Sequence, residues 1–278
     1  MDIYLHILNM NGGGYKDFKT FVHKKLKRLI IPYFFVSLLW VIPFQIYFFG
    51  INMKNYFCKY VLGIAPSQLW FLLMLFFVFL IIFYVSDWLY YEPKQGIIIC
   101  SILYFVGILL TRFVPNIFQI FTAMQYLLFF YLGMLMEKYD FFSKKHKSLM
   151  LFVVDISLFF LYMCLSSLNK GFIKIILIFL KLLLNIAGSL MIIVLIKNLI
   201  NQYSDLLNSK IFKIFKNKTF IVYLLHQQII YCVINVLNGL VCSTVLVLSN
   251  FIISIIGSLI IGSLLTKFKF GKLIFGMK

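Results

Sequence analysis

Acidic residues are scarce in this 278-residue chain: eight stand against 26 lysines and arginines, and all charged side chains together make up 12% of it. So few charges cannot clothe the surface of a soluble domain of this length. Glycine and proline are sparse, and no ten-residue stretch alternates apolar with polar residues, which argues against a transmembrane β-barrel. Only two of the basic residues are arginine, so the net charge of +18 does not point to nucleic-acid recognition led by arginine. The five cysteines have neither metal nor redox spacing. Cys100, Cys164 and Cys232 fall in apolar runs and are expected as packed thiols; a Cys58–Cys242 bridge is conceivable but has little support. A cleaved leader is also missing from the expected features. The apolar piece "IYLHILNM" precedes the first lysines, which reverses the order of a secretory signal, and no small-residue cleavage site follows.

What the chain has is grease: 63% of its residues are apolar. Runs of about twenty uncharged residues recur, each long enough to cross ~30 Å of hydrocarbon as a helix. The expected fold is all-α, a polytopic membrane bundle of about eight helices. Their expected bounds are Ile30–Phe49, Leu69–Ser86, Ile97–Thr111, Ile117–Met136, Leu149–Leu168, Ile175–Ile196, Phe220–Leu237 and Val241–Leu265. No internal repeat or low-complexity linker interrupts the chain, so residues 1–278 are expected as one membrane domain, with 1–17 a short cytoplasmic segment. With the N-terminus inside, 20 basic residues fall on the cytoplasmic side and 5 outside, while Lys181 lies within a span. That split follows the positive-inside rule and puts both termini in the cytoplasm. Between the sixth and seventh spans, Leu207, Ile211, Ile214 and Phe215 share one helical face, opposite Lys213 and Lys216. The pattern suits a short helix on the inner leaflet, or an ordinary loop.

The seventh span, "TFIVYLLHQQII", carries a histidine and two glutamines where hydrocarbon penalises every unpaired polar group. Thr219, Tyr223 and His226 share one helical face, and Tyr223, Gln227 and Tyr231 form an adjoining stripe. Such a stripe is expected to face the bundle interior or a water-filled cavity. Asp155 sits ~9–10 Å into its span, close to the ~10 Å depth of His226. Depth therefore allows an Asp155–His226 pair. Lys181, ~24 Å from the inner end of its span, is too distant in depth to pair with Asp155, and is placed to snorkel outward. Two readings of His226 stand side by side. One gives it proton handling or substrate contact, oriented by Asp155. The other has His226 and the glutamines bond neighbouring helices to hold the bundle.

The segments "FVHKKLKRLIIPYFF", "QLWFLLMLF", "FFYLGMLMEKY" and "NKTFIVYLLHQQII", in that order, resemble the bacterial membrane acyltransferase-3 family, from about Phe18 onward. The resemblance implies an O-acyltransferase of the bacterial cytoplasmic membrane. Its donor would be acyl-CoA, in particular acetyl-CoA, and its acceptor a sugar hydroxyl of an envelope glycan or lipid-linked saccharide. Carried over by motif, His226 becomes a candidate catalytic residue, with Asp155 beside it as the orienting partner that depth allows, and Arg28 the candidate for the donor's phosphates. Trp70 and Tyr223 become candidate substrate contacts, and no metal is implied. Arg28 also serves topology, and Trp70 suits an interfacial anchor. The family pattern has ten helices, the first carrying an arginine followed eleven positions later by a catalytic histidine. No histidine here follows an arginine at that distance; the residue eleven before His226 is Phe215. The expectation is a chain without the family's first two helices, and on that ground of little activity when expressed alone.

Two further readings remain at this level: an exporter of glycan or lipid-linked sugar that performs no chemistry, and an inactive fragment. The topology is directly testable. Single-cysteine labelling should reach residues 138–147, 201–218 and 267–278 only from the cytoplasmic side, and the loop around Lys54–Lys59 only from outside. Inside labelling of Lys54–Lys59 would overturn the eight-span order.

Overall fold

In a computed structural model of the chain, the described residues are 17–50, 53–64, 67–139, 141, 148–168, 171–203 and 209–276. Residues 1–16, including nearly all of the expected N-terminal cytoplasmic segment, lie outside them. No strand occurs among the described residues, and eight helices are long and apolar enough to span a bilayer. These are α1 (Phe18–Phe49), α3 (Trp70–Tyr91), α4 (Pro93–Phe113), α5 (Ile120–Lys138), α6 (Ser148–Ser166), α7 (Gly171–Gln202), α8 (Lys210–Leu237) and α9 (Ser243–Leu265). Two short helices, α2 (Met53–Val61) and α10 (Lys269–Ile274), complete the set. The chain is a polytopic helical membrane protein. The segment expected as a surface helix is instead continuous with the seventh span from Lys210 onward; its residues 204–208 lie outside the described set.

Helix α1 departs twice from regular α geometry, with π-helical turns at Leu26–Ile30 and Ser37–Val41. Each turn contains the carbonyl four residues before a proline: Arg28 for Pro32 and Leu39 for Pro43. A proline lacks the N–H that would bond that carbonyl, and its ring crowds it. A local widening to π geometry relieves both problems and lets the helix continue. α1 ends at Gly50, whose φ of 60° and N–H···O bond to Ile46 at 2.9 Å form a left-handed cap.

Contacts divide the chain into two compact units, residues 1–135 with 215–278, and residues 136–214. In the first, Tyr33, Val36, Val41 and Ile42 of α1 are buried with Leu69, Leu72, Leu73 and Phe76 around α3, and with Ile221, Leu224 and Leu225 of α8. A buried bond from the Tyr33 hydroxyl to the Tyr60 carbonyl (2.6 Å) ties α2 to α1. The turn after α2 is locked to the entry of α5. Phe118 N–H donates to Leu62 O at 2.8 Å, and Gln119 Nε2 donates to Gly63 O at 2.8 Å. The second unit is built on α6 and α7, which pack against each other.

Small residues let helices approach closely, which matters in lipid because apolar surface alone does not drive helices together. Along α9, Ser254, Ser258 and Gly262 recur every four residues and are all buried. A Cβ on Gly262 would lie 2.3 Å from Ile221 Cγ2 on α8. On α4, a Cβ at Gly96 would meet the Tyr131 hydroxyl at 2.4 Å. Gly262→Ala should therefore overpack the α8–α9 seam, costing roughly 1–3 kcal/mol. Adding Ile221→Ala should recover part of that loss, so thermal melting in detergent should show the double variant less destabilised than the sum of the singles.

Candidate active site

Three pieces of the first unit build the candidate site: the second π turn of α1, the 3-10 turn Ser67–Leu69 ahead of α3, and the middle of α8. Trp40, inside the π turn, donates its indole N–H to the Leu225 carbonyl at 3.3 Å. The turn is made possible by Ser67, which holds φ at 52°, a left-handed value uncommon for a residue with a side chain. That conformation is held from two sides. Ser67 Oγ donates to Gln227 Oε1 at 3.1 Å and accepts a longer contact from Gln45 Nε2 at 3.5 Å.

Gln228, fully buried, meets Gln68 amide to amide: Gln68 Nε2 donates to Gln228 Oε1 at 2.7 Å and Gln228 Nε2 returns a bond at 3.3 Å. Gln68 Nε2 also reaches Leu224 O at 3.2 Å, and Gln68 N–H reaches Gln227 Oε1 at 3.1 Å. The Tyr223 hydroxyl donates to the Gln68 carbonyl, and Gln227 Nε2 donates to the Tyr231 hydroxyl at 2.7 Å. The glutamines of α8 thus bind the bundle together, as one of the two sequence readings has it.

His226 behaves differently. Its Nδ1 lies 3.0 Å from Val222 O and 2.8 Å from Tyr223 O. A backbone carbonyl only accepts, so in the neutral ring Nδ1 carries the proton and Nε2 carries the lone pair. The ring is partly buried, 6.3 Å from the Tyr223 ring, and no described residue hydrogen-bonds Nε2. The result is a histidine whose tautomer is set by its own helix and whose acceptor nitrogen is open.

The remaining candidates lie on other helices. Trp70 opens α3, two residues after Gln68, with its ring 5.3 Å from that of Tyr126. Its neighbour Phe71 meets the Tyr223 ring at 5.9 Å, edge-on, so the Trp70 end of α3 and the Tyr223–His226 stretch of α8 belong to one neighbourhood. Arg28 is exposed on the first π turn of α1, and the tail packs on its backbone: a Cβ at Gly276 would lie 3.0 Å from Arg28 Cα. Beside it, Lys25 Nζ lies 3.4 Å from the centre of the Phe79 ring, a cation–π contact. Asp155 belongs to the second unit. Its carboxylate abuts Gly188 of α7, with Oδ1 3.3 Å from where a Cβ would stand. Among the described residues it makes no ion pair with Lys181, which is exposed.

All five cysteines are free thiols. Cys100 is buried as expected, whereas Cys164 is exposed on α6, whose residues present little buried surface. Among the described residues, no three His, Cys, Asp or Glu side chains gather as a metal site would require. Sequence reasoning singled out neither Gln68, Ser67, Gln45 nor Trp40. Gln68 lies inside the "QLWFLLMLF" segment, but its partners are more than 150 residues away. The Tyr60 hydroxyl, too, is buried, and burial raises its pKa while the nearby Ser67 hydroxyl lowers it by a smaller amount.

Eight helices long and apolar enough to cross a bilayer define a multi-pass membrane protein. The family model described as an acyltransferase domain, Acyl_transf_3, matches residues 4–267. The chain belongs to the acyltransferase-3 family and is a membrane acyltransferase. The match begins fourteen residues before Phe18, where the resemblance by motif starts. Neither the curated proteins nor the solved structures contain a match to it.

The hydroxyl of Tyr223 is committed to Gln68, so Tyr223→Phe should cost about 0.5–1.5 kcal/mol of stability. In a double-mutant cycle with Trp40→Phe, which removes a separate tie to α8, thermal melts should show near-additive losses.

Proposed function

We propose that the chain transfers an acetyl group from acetyl-CoA to a sugar hydroxyl of an envelope glycan or its lipid-linked precursor, in the bacterial cytoplasmic membrane. The observation that carries this reading is the open Nε2 of His226, held in acceptor form within a membrane acyltransferase. Of the two histidines among the described residues, the other, His23, is exposed among lysines at the start of α1. His226 Nε2 takes the proton of the acceptor hydroxyl as its oxygen attacks the thioester carbonyl. The tetrahedral intermediate then expels the thiolate of coenzyme A, which is protonated in turn, and the sugar carries the ester.

Arg28 suits the donor's phosphates, because an exposed guanidinium binds phosphate oxygens in pairs. The arginine stands at the basic end of α1, where the positive-inside count puts the cytoplasm and its acetyl-CoA. Trp70 offers an aromatic face to a sugar ring. The Tyr223 hydroxyl already serves Gln68, so this residue contributes through its ring and its backbone carbonyl, which holds His226.

The test uses membrane vesicles containing the protein, radiolabelled acetyl-CoA and the envelope glycan of the expressing bacterium, with O-acetyl esters read by NMR. His226→Ala should lower transfer by about 10²–10⁴-fold, the usual loss of a general base. Arg28→Ala should raise the KM for acetyl-CoA with a smaller change in kcat. Transfer unaffected by His226→Ala would remove the histidine from the chemistry. Glycan appearing outside with no ester formed would favour export instead.

A further inference from the structure

We propose that Gln68 is a positioning residue for His226, acting through α8 to keep the imidazole in its Nδ1–H form. This rests on the reading of His226 as the base, but its own test does not depend on that reading.

Every hydrogen-bonding group of Gln68 is spent on one short stretch of α8. The backbone N–H goes to Gln227 and the backbone carbonyl receives Tyr223. The side-chain amide takes Leu224 O and pairs with Gln228 in both directions. These four partners flank His226 on both sides, three and two residues before it and one and two after. A tie serving only to hold two helices together could fall anywhere along their length; this one is concentrated on the turn that carries the histidine.

The link to the ring is short. His226 Nδ1–H is shared between the carbonyls of Val222 and Tyr223. Tyr223 is in turn fixed at its far end by the Gln68 carbonyl. One residue thus has its own carbonyl facing the histidine and its hydroxyl facing Gln68. His226 and the carbonyls of Val222 and Tyr223 belong to one turn, so fraying of that turn would break the helical geometry that holds the Tyr223 carbonyl against Nδ1. The neutral ring would then be free to carry its proton on Nε2 and lose its acceptor nitrogen. Gln68 itself emerges from the left-handed Ser67, which is braced by Gln227 and Gln45, so the clamp is rigid on both sides.

The experiment is ¹⁵N-histidine NMR on the full chain in nanodiscs, with the His226 signals identified by their loss in His226→Gln, beside acetyl transfer in vesicles. The native protein should show His226 with a protonated Nδ1 and an unprotonated Nε2. Gln68→Met strands the buried amide of Gln228 and is expected to fold poorly. The informative variant is therefore Gln68→Met with Gln228→Met and Tyr223→Phe, which removes both amides at similar volume together with the hydroxyl that reaches the Gln68 carbonyl. It should keep the native helix content and a cooperative melt, shift His226 toward a mixture of tautomers, and lower kcat by up to about 10²-fold with little change in KM. An unchanged Nδ1–H signal in that folded variant would overturn the proposal and leave Gln68 as packing. A shifted tautomer in a protein whose transfer is insensitive to His226→Ala would uphold the positioning role and overturn only the base.

Discussion

Gln228 has no access to solvent and sits in a helix that crosses hydrocarbon, so its amide must be satisfied by the protein or cost free energy. Gln68 satisfies it, and much of the first unit follows from bringing those two residues together. The chain before α3 must turn tightly enough to present a side-chain amide and a backbone N–H to the same face of α8. Ser67 does so by adopting a left-handed backbone that costs about 1–3 kcal/mol, offset by the hydrogen bonds made on either side of it. α1 must lie close enough for Trp40 to reach the Leu225 carbonyl. The π turn that contains Trp40 is itself a response to Pro43.

The same economy governs the loops at this end of α3. Phe118 and Gln119 also hold positive φ, and both are pinned to the turn after α2 through Leu62 and Gly63. Asn116 accepts from Phe121 N–H at 2.9 Å and donates to Thr122 at 2.6 Å, which caps the start of α5. Strained residues gather where hydrogen bonds are densest, because only an over-determined segment keeps a conformation it does not prefer. Elsewhere the helices meet through small residues, as at Gly96 and Gly262, with single polar ties beside them: the Tyr131 hydroxyl donates to Leu89 O at 2.9 Å, and Lys218 Nζ donates to Ser263 Oγ at 2.5 Å.

Against this background His226 stands apart. Gln227 and Gln228 use both ends of their amides; His226 uses one nitrogen on its own backbone and leaves the other unoccupied by any described residue. Holding the bundle together explains the glutamines and leaves the histidine unexplained. The base proposed for transfer and the positioning role proposed for Gln68 both start from that difference, an imidazole bonded through Nδ1 to its own helix with Nε2 left to a hydroxyl.

The spans were legible from the sequence because bilayer thickness converts directly into run length: all eight expected runs are helices, and even the short third run extends to Pro93–Phe113. The family was legible too, through four short motifs in order. The polar face of α8 could be drawn from helical period alone, yet its division into structural glutamines and an open histidine could not. That division depends on Gln68, separated from Gln228 by 160 residues, and pairing across such a distance leaves no local pattern. The π turns of α1 and the positive φ of Ser67 were likewise hidden: proline marks where a helix is stressed, while neighbouring helices decide how the stress is absorbed. Local composition determined which segments enter the membrane. Tertiary contact alone decided which of the polar groups carried in with them are used up in holding the fold and which nitrogen is left open.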